Sequence, residues 1–158
     1  MKILVLSDSH MAMGEMRKAV NREKPDMIIH LGDHISDADR LSDDFPDIPM
    51  ETVPGNCDRA SASMEKLIEV EGKKIFICHG HGYGVKNDLS LLKEAALEKG
   101  ADIVLFGHTH VPYYDFDGRI HMMNPGSMGA AHYPDKEGYG LIFIENGEIF
   151  IRLVQMQQ

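Results

Sequence analysis

Short apolar runs in this chain keep ending on residues of the types that bind metal ions. The run 3–6 leads into Asp8, Ser9 and His10, and the run 27–31 into Gly32 and Asp33. Thr52 and Val53 lead through Pro54 into Gly55 and Asn56. The run 75–78 leads into His79, and the run 103–106 into Gly107, His108, Thr109 and His110. Short apolar runs bounded by turn signals read as buried strands, and glycine directly after several of them reads as a sharp exit. In α/β sheets, ligands sit outside the carboxyl ends of the strands. One sheet edge would then carry two Asp, three or four His and an Asn together. That is a metal-dependent hydrolase site rather than a nucleotide cradle.

The segments between these runs set the architecture. Residues 11–23 place apolar side chains at 13, 16, 19 and 20, a helical spacing that Pro25 ends. Residues 35–44 predict a short helix or a loop. Strands over 67–70 and 74–78 are joined around Gly72. Asp88 is placed to cap a helix running to Lys99, with Leu89, Leu92, Ala95 and Ala96 inward and Gly100 as its stop. Two hairpins follow, over 113–123 and 140–154, with Asp117-Gly118 and Asn146-Gly147 as two-residue turns. Leu141, Phe143, Ile149, Ile151 and Leu153 alternate as half-buried strands do. The first part reads βαβ and the last part antiparallel β. Two stacked sheets with helices outside would accommodate both.

The 158 residues suggest one domain spanning 1–158, long enough to bury a core. The net charge of -9, from 16 basic and 25 acidic residues, argues against extended nucleic acid and acidic membrane surfaces as partners. There is no bilayer-length apolar run and no signal-peptide pattern, so a cytoplasmic location is expected. The two cysteines, Cys57 and Cys78, do not make a disulfide framework. Cys78 reads as a small buried hydrophobe, and the eleven Met as core filler. The hairpins permit pairing into a homo-oligomer without requiring it.

Carboxylate oxygen with imidazole nitrogen suits zinc, iron, manganese, cobalt or nickel. Asp8 and His10 stand two apart, as do His108 and His110, and residues so spaced in a loop can turn toward one ion. A single carboxylate, Asp33, can bridge two ions through its two oxygens. Two ions roughly 3.5–4 Å apart clamp the attacking and leaving oxygens of an in-line phosphoryl displacement, with a bridging hydroxide as the nucleophile. Taken singly, each residue also has an ordinary use in a turn or a helix cap. Independent turn residues would not reproduce the whole ordered set.

Asp8-x-His10, Gly32-Asp33, the block 55–58, His79 and the block 107–110 resemble the calcineurin-like metallophosphoesterases, above all small phosphodiesterases of the YfcE type. The resemblance runs from Met1 to about Ser127 and includes the block 124–127. It implies a four-layer α/β/β/α sandwich of two stacked mixed sheets. It also implies a dinuclear site that hydrolyses small phosphodiesters. Asp8, His10, Asp33 and His110 would hold one ion. Asp33, Asn56, His79 and His108 would hold the other, with Asp33 bridging. Manganese is the first expectation for the two divalent ions, with nickel, zinc or iron as alternatives.

Two departures stand out. Many phosphatases of the family have His where Cys57 stands, with the acidic neighbour, here Asp58, orienting it to protonate the leaving group. A thiol of pKa about 8.5 is mostly protonated at neutral pH but donates weakly. Asn56, Cys57, Asp58 and His79 are therefore the catalytic candidates, and diesters with good leaving groups the expected substrates. The second departure lies within 128–138, where relatives often place a Pro-Arg pair. Among the remaining residues, His30 reads as a satisfied sheet residue and His121 as facing solvent. His34 and His81 are open between substrate contact and loop roles, and Lys86 reads as a solvated lysine. The competing function is a protein-binding scaffold of the same fold with little or no catalysis. A nuclease of this fold is argued against by the acidic balance and by the lack of a basic, aromatic-studded groove.

Overall fold

The computed structural model describes residues 1–58, 64–131 and 135–156. Its ten strands form two five-stranded sheets. In chain order the strands are β1 (Lys2–Leu6), β2 (Met27–His30), β3 (Met50–Thr52), β4 (Glu65–Val70), β5 (Lys73–Cys78), β6 (Ile103–Leu105), β7 (Tyr113–Phe116), β8 (His121–Asn124), β9 (Gly138–Glu145) and β10 (Glu148–Gln155). The helices are α1 (Met13–Glu23), α2 (Ile35–Asp44) and α3 (Ser90–Glu98). The first sheet runs β10-β9-β1-β2-β3 and the second β4-β5-β6-β8-β7. Each mixes parallel and antiparallel pairs.

Burial assigns the layers. Ile3, Val5 and Ile29 of the first sheet pack with Ile75, Ile77 and Leu105 of the second in one core between the sheets. On the outer face of the first sheet, Leu4, Leu6 and Ile28 meet Met16, Val20 and Leu41 from α1 and α2. On the outer face of the second, Phe76 and Val104 meet Leu92 and Ala96 of α3. The order is helix, sheet, sheet, helix, the expected four-layer sandwich. Burying each large apolar side chain stabilises the fold by about 1.5–3 kcal/mol.

The elements sharpen or correct the sequence expectation in four places. Helix α1 starts at Met13 rather than at 11, because Met11 has φ 70° and cannot join a right-handed helix. Residues 35–44 resolve into a helix. Strand β9 is buried on both faces: Leu141 joins the outer core, while Ile142 and Ile144 join the inner one. Only β10 shows the half-buried alternation. The 113–123 hairpin has a four-residue connection, in which Asp117 Oδ1 accepts from Arg119 N and Ile120 N at 2.9 Å. The second hairpin turns as expected, with φ 52° at Asn146 and 78° at Gly147. Asp88 caps α3 by accepting from Ser90 N at 2.5 Å.

Candidate metal centre

The carboxyl ends of β1, β2, β5 and β6 lie together, and their exit loops carry Asp8, His10, Asp33, His79, His108 and His110. One ligand atom from each of Asp8, His10, Asp33 and His110 lies within 4.8 Å of the others. His79 Nε2 adjoins this group, 3.5 Å from Asp33 Oδ2 and 3.7 Å from Asp8 Oδ1. The rings of His79 and His108 are 5.2 Å apart. Asn56 Oδ1 faces His108 Nδ1 at 3.0 Å. The first predicted ligand set is therefore gathered tightly. The second is gathered around His79 and Asp33, with His108 alongside and the Asn56 oxygen turned toward His108.

Hydrogen bonds aim each group. Asp8 Oδ2 accepts from Ser7 Oγ at 2.6 Å and His108 N at 3.1 Å, which turns Oδ1 toward His110 Nε2 and His79 Nε2. Asp33 Oδ1 accepts from Cys57 N at 2.9 Å. Asp33 Oδ2 is thus the oxygen that faces both His10, at 4.0 Å, and His79. His79 Nδ1 meets Leu31 O at 2.7 Å, and His110 Nδ1 meets Ala130 O at 2.9 Å. A ring that donates from Nδ1 keeps the Nε2 lone pair for an ion.

The residues fit a divalent ion on the evidence of the structure itself. Among the described residues, His10 Nε2 and His79 Nε2 are buried with no hydrogen-bond partner, and the buried Asp8 Oδ1 has His110 Nε2 beside it at 3.1 Å. Burying such groups unsatisfied costs about 1–3 kcal/mol each, more when charged. Asp8, His10, Asp33, His108 and His110 all have left-handed backbones, with φ of 51°, 42°, 57°, 71° and 63°. Asp and His tolerate this region better than bulky residues, yet such outliers cluster where surrounding structure holds a site in place. Gly55 and Gly107 let the loops close on the ligands. A Cβ at Gly55 would lie 2.2 Å from Asp33 Oδ1, and one at Gly107 2.1 Å from Ser7 Oγ.

The charges favour metal-ready protonation states. Burial raises the Asp8 carboxyl, but His110, His79 and Ser7 outweigh it and hold Asp8 at about 2. Burial, with neighbouring imidazoles, lowers His10 and His108. His110 is raised, first by its contact with Asp8. Ligands must be deprotonated to bind, so neutral imidazoles and an ionised Asp8 suit the task.

Asp58 does not face Cys57. Its Oδ1 accepts from Ile35 N and its Oδ2 from Gly55 N, both at 2.8 Å, so it braces the Asp33 and Asn56 loops together. Cys57 is exposed, and its Sγ lies 3.8 Å from Asn56 Nδ2. Partial desolvation and the Asp33 carboxylate raise its thiol pKa. His34 stands 4.7 Å from His10, ring to ring. His81 lies 5.5 Å from His79, with a buried and unpartnered Nδ1. His121 is buried, not solvent-facing: it stacks on Phe116 at 4.1 Å and meets Tyr114 Oη at 2.8 Å.

The sequence pattern missed several supporting residues. His30 is satisfied as expected, but it belongs to a chain. Its Nδ1 faces Gly32 N, its Nε2 faces Ser9 Oγ at 3.0 Å, and Ser9 Oγ donates to Asp37 at 2.9 Å. Asp37 also accepts from Met11 N. Ser127 Oγ donates to Asp8 O, and Asn124 Nδ2 to Gly107 O and Thr109 Oγ1. The block 124–127, matched as a motif without a role, thus clamps the Asp8 and His108 loops. Of the stretch 128–138, residues 132–134 lie outside the described residues.

This fold and this donor set define a metallophosphoesterase. Residues 1–147 match the calcineurin-like phosphoesterase superfamily domain, and the chain belongs to that family. It is 33% identical over 157 residues to the probable metallophosphoesterase YsnB of Bacillus subtilis, covering 96% of this chain and 89% of that protein. It is 27% identical over 147 residues to phosphodiesterase MJ0936 of Methanocaldococcus jannaschii, covering 80% and 83% respectively. The structure of Entamoeba histolytica Vps29 complexed with Zn2+ shares the fold at a TM-score of 0.76 and 21% identity, over 96% of this chain and 90% of that one. No helix among the described residues is long and apolar enough to cross a membrane.

Proposed function

We propose that this chain hydrolyses small phosphodiesters at a pair of divalent transition-metal ions, manganese first, with nickel, zinc or iron as alternatives. The carrying observation is the convergence of Asp8, His10, Asp33 and His110 beside a buried His79, with the inward-facing Nε2 atoms of His10 and His79 lacking a hydrogen-bond partner. Asp8, His10, Asp33 and His110 would hold one ion. Asp33, Asn56, His79 and His108 would hold the second, with Asp33 common to both. When bound, two such ions polarise the phosphate and lower the pKa of the attacking water toward about 7, so that hydroxide is the nucleophile.

The chain's own groups orient and protonate. Ser7 and the His108 N–H hold Asp8, and the Cys57 N–H holds Asp33. Asn56 and Cys57 stand exposed beside the ligand cluster, where a substrate would meet them. With its pKa raised, the Cys57 thiol stays protonated at neutral pH and is a weak donor. An ester oxygen that needs little protonation to leave is the best match, which favours diesters of acidic alcohols. The scaffold alternative keeps the same buried carboxylate and imidazoles without a partner, an arrangement that costs stability and returns nothing.

The test is turnover of bis(4-nitrophenyl) phosphate and 4-nitrophenyl phosphate by protein loaded with manganese, nickel or zinc, alongside elemental analysis. The expected result is about two ions per chain, faster diester than monoester turnover, and loss of both metal and turnover in Asp33→Ala. Absence of turnover with every metal would move the assignment to the scaffold.

A further inference from the structure

Phe106 and Thr109 bracket His108 in the chain, and both line a shallow groove of about 260 Å3 beside the metal centre. Val85, Leu89, Val111 and Tyr113 complete its apolar wall. Val85 and Phe106 are buried, whereas Val111 is 45% and Tyr113 37% exposed. The Phe106 and Tyr113 rings stand 6.1 Å apart at 57°, so they offer an edge and a face to a third ring. Thr109 Oγ1 takes hydrogen bonds from Asn124 Nδ2 at the end of β8 and from Val111 N in its own loop. The groove therefore presents mainly carbon, except for Lys86.

Lys86 is exposed, and no carboxylate among the described residues pairs with it. In a chain of net charge -9, an unpaired cation at the rim of an apolar groove marks a place for an anion with an apolar arm. The volume falls below the range of about 300–1,000 Å3 that encloses drug-sized ligands, so one ring system fits and a longer chain does not.

We infer that this groove seats an aromatic arm of the phosphodiester, of the size of a phenyl ring or a nucleobase, with Lys86 facing the phosphate charge. The inference rests on the phosphodiesterase assignment above and adds the substrate class. Continuity with the metal centre carries it, because the loop that presents His108 also builds the groove wall.

The test uses binding rather than turnover. Diphenyl phosphate and dimethyl phosphate carry the same charge and differ only in their arms. Each is titrated calorimetrically into zinc-loaded protein. Diphenyl phosphate is expected to bind at least about tenfold tighter, from the extra apolar surface taken out of water. Tyr113→Ala and Val111→Ser, both at well-exposed positions, should bring that ratio toward one while leaving dimethyl phosphate affinity unchanged. Lys86→Gln should weaken both ligands by a similar factor. Equal affinity in the unmodified protein, or a ratio that survives both groove variants, overturns the inference. If aryl diesters are nevertheless turned over, the phosphodiesterase assignment stands. Absence of diphenyl phosphate binding together with absence of turnover overturns both.

Discussion

Asp33 divides its two oxygens between a backbone amide and the ligand cluster, and that division recurs across the site. Asp8, Asp33, His79 and His110 each commit one atom to a hydrogen bond with the fold and turn another toward the centre. Cys57 stands where the family resemblance leads one to expect His, and it is exposed. Cys57→His should raise monoester relative to diester turnover, by restoring a donor to the leaving oxygen. General acid catalysis is worth about 10²–10⁴, but Asp58 is committed to two backbone amides and cannot orient the new ring, so a gain of about tenfold is expected. The ratio of the two initial rates with one metal checks this, and an unchanged ratio counts against a role for Cys57 beside the leaving group. His30 gives a second prediction. Full burial drives its pKa down to about 4, against an ordinary value near 6.5. Between those values the unfolded chain binds the proton and the folded chain does not, so stability falls as pH drops from about 6.5 to about 4, by an amount of the order of 3 kcal/mol. In His30→Gln, urea melts under chelator at pH 7 and pH 5 should differ less than those of the unmodified protein. At this scale the candidate ligands were legible because Asp, His and Asn recur as an ordered set after successive strands, which independent turn residues would not reproduce. The sequence hid Ser9, Asp37 and Ser127, because a serine that orients a ligand looks the same in sequence as one that caps a turn.

Between elements, the sequence marked where strands and helices lie but not how they pair. The apolar runs gave β1, β2, β5 and β6, and the spacing at 13, 16, 19 and 20 gave the buried face of α1. Nothing local says that β9 lies against β1, with Leu4 opposite Leu141. Apolar residues mark the buried face of α1 at several positions but are few in α2, whose buried residues are only Asp37, Ala38 and Leu41. Asp58 shows how elements are tied: it joins the start of α2 to the loop after β3. Asp58→Ala leaves two amides without their charged acceptor, and bonds to charged groups are worth about 1.5–3 kcal/mol each. A loss of about 2–4 kcal/mol in urea unfolding is expected, with weaker retention of metal on gel filtration. Full retention of both would show the two loops to be held independently of Asp58.

For the whole molecule, the stacking of two sheets was legible as a class and the register was not. The βαβ start and antiparallel finish pointed to two sheets, yet the finish is shared out: β7 and β8 complete one sheet, β9 and β10 the other. Because all four loops of the centre spring from both sheets, an ion bound there would link the two layers. A ligand that binds only the folded state at a hundredfold excess over its Kd stabilises by about 2.7 kcal/mol. For a chain of this size that corresponds to a Tm about 5–10 °C lower when a chelator strips manganese-loaded protein. Scanning calorimetry with and without chelator checks it, and no shift would mean that the layers hold together without the ion. The position of β9 has a further consequence, in the order of synthesis. Lys2 pairs with Phe143, so β1 remains an unpaired edge on one side until the ribosome has made and released β9. Asp8, among the earliest ligands to be translated, is thus among the last to be fixed. A purified chain truncated before residue 138 should fail to capture metal, although it contains every one of the proposed ligands.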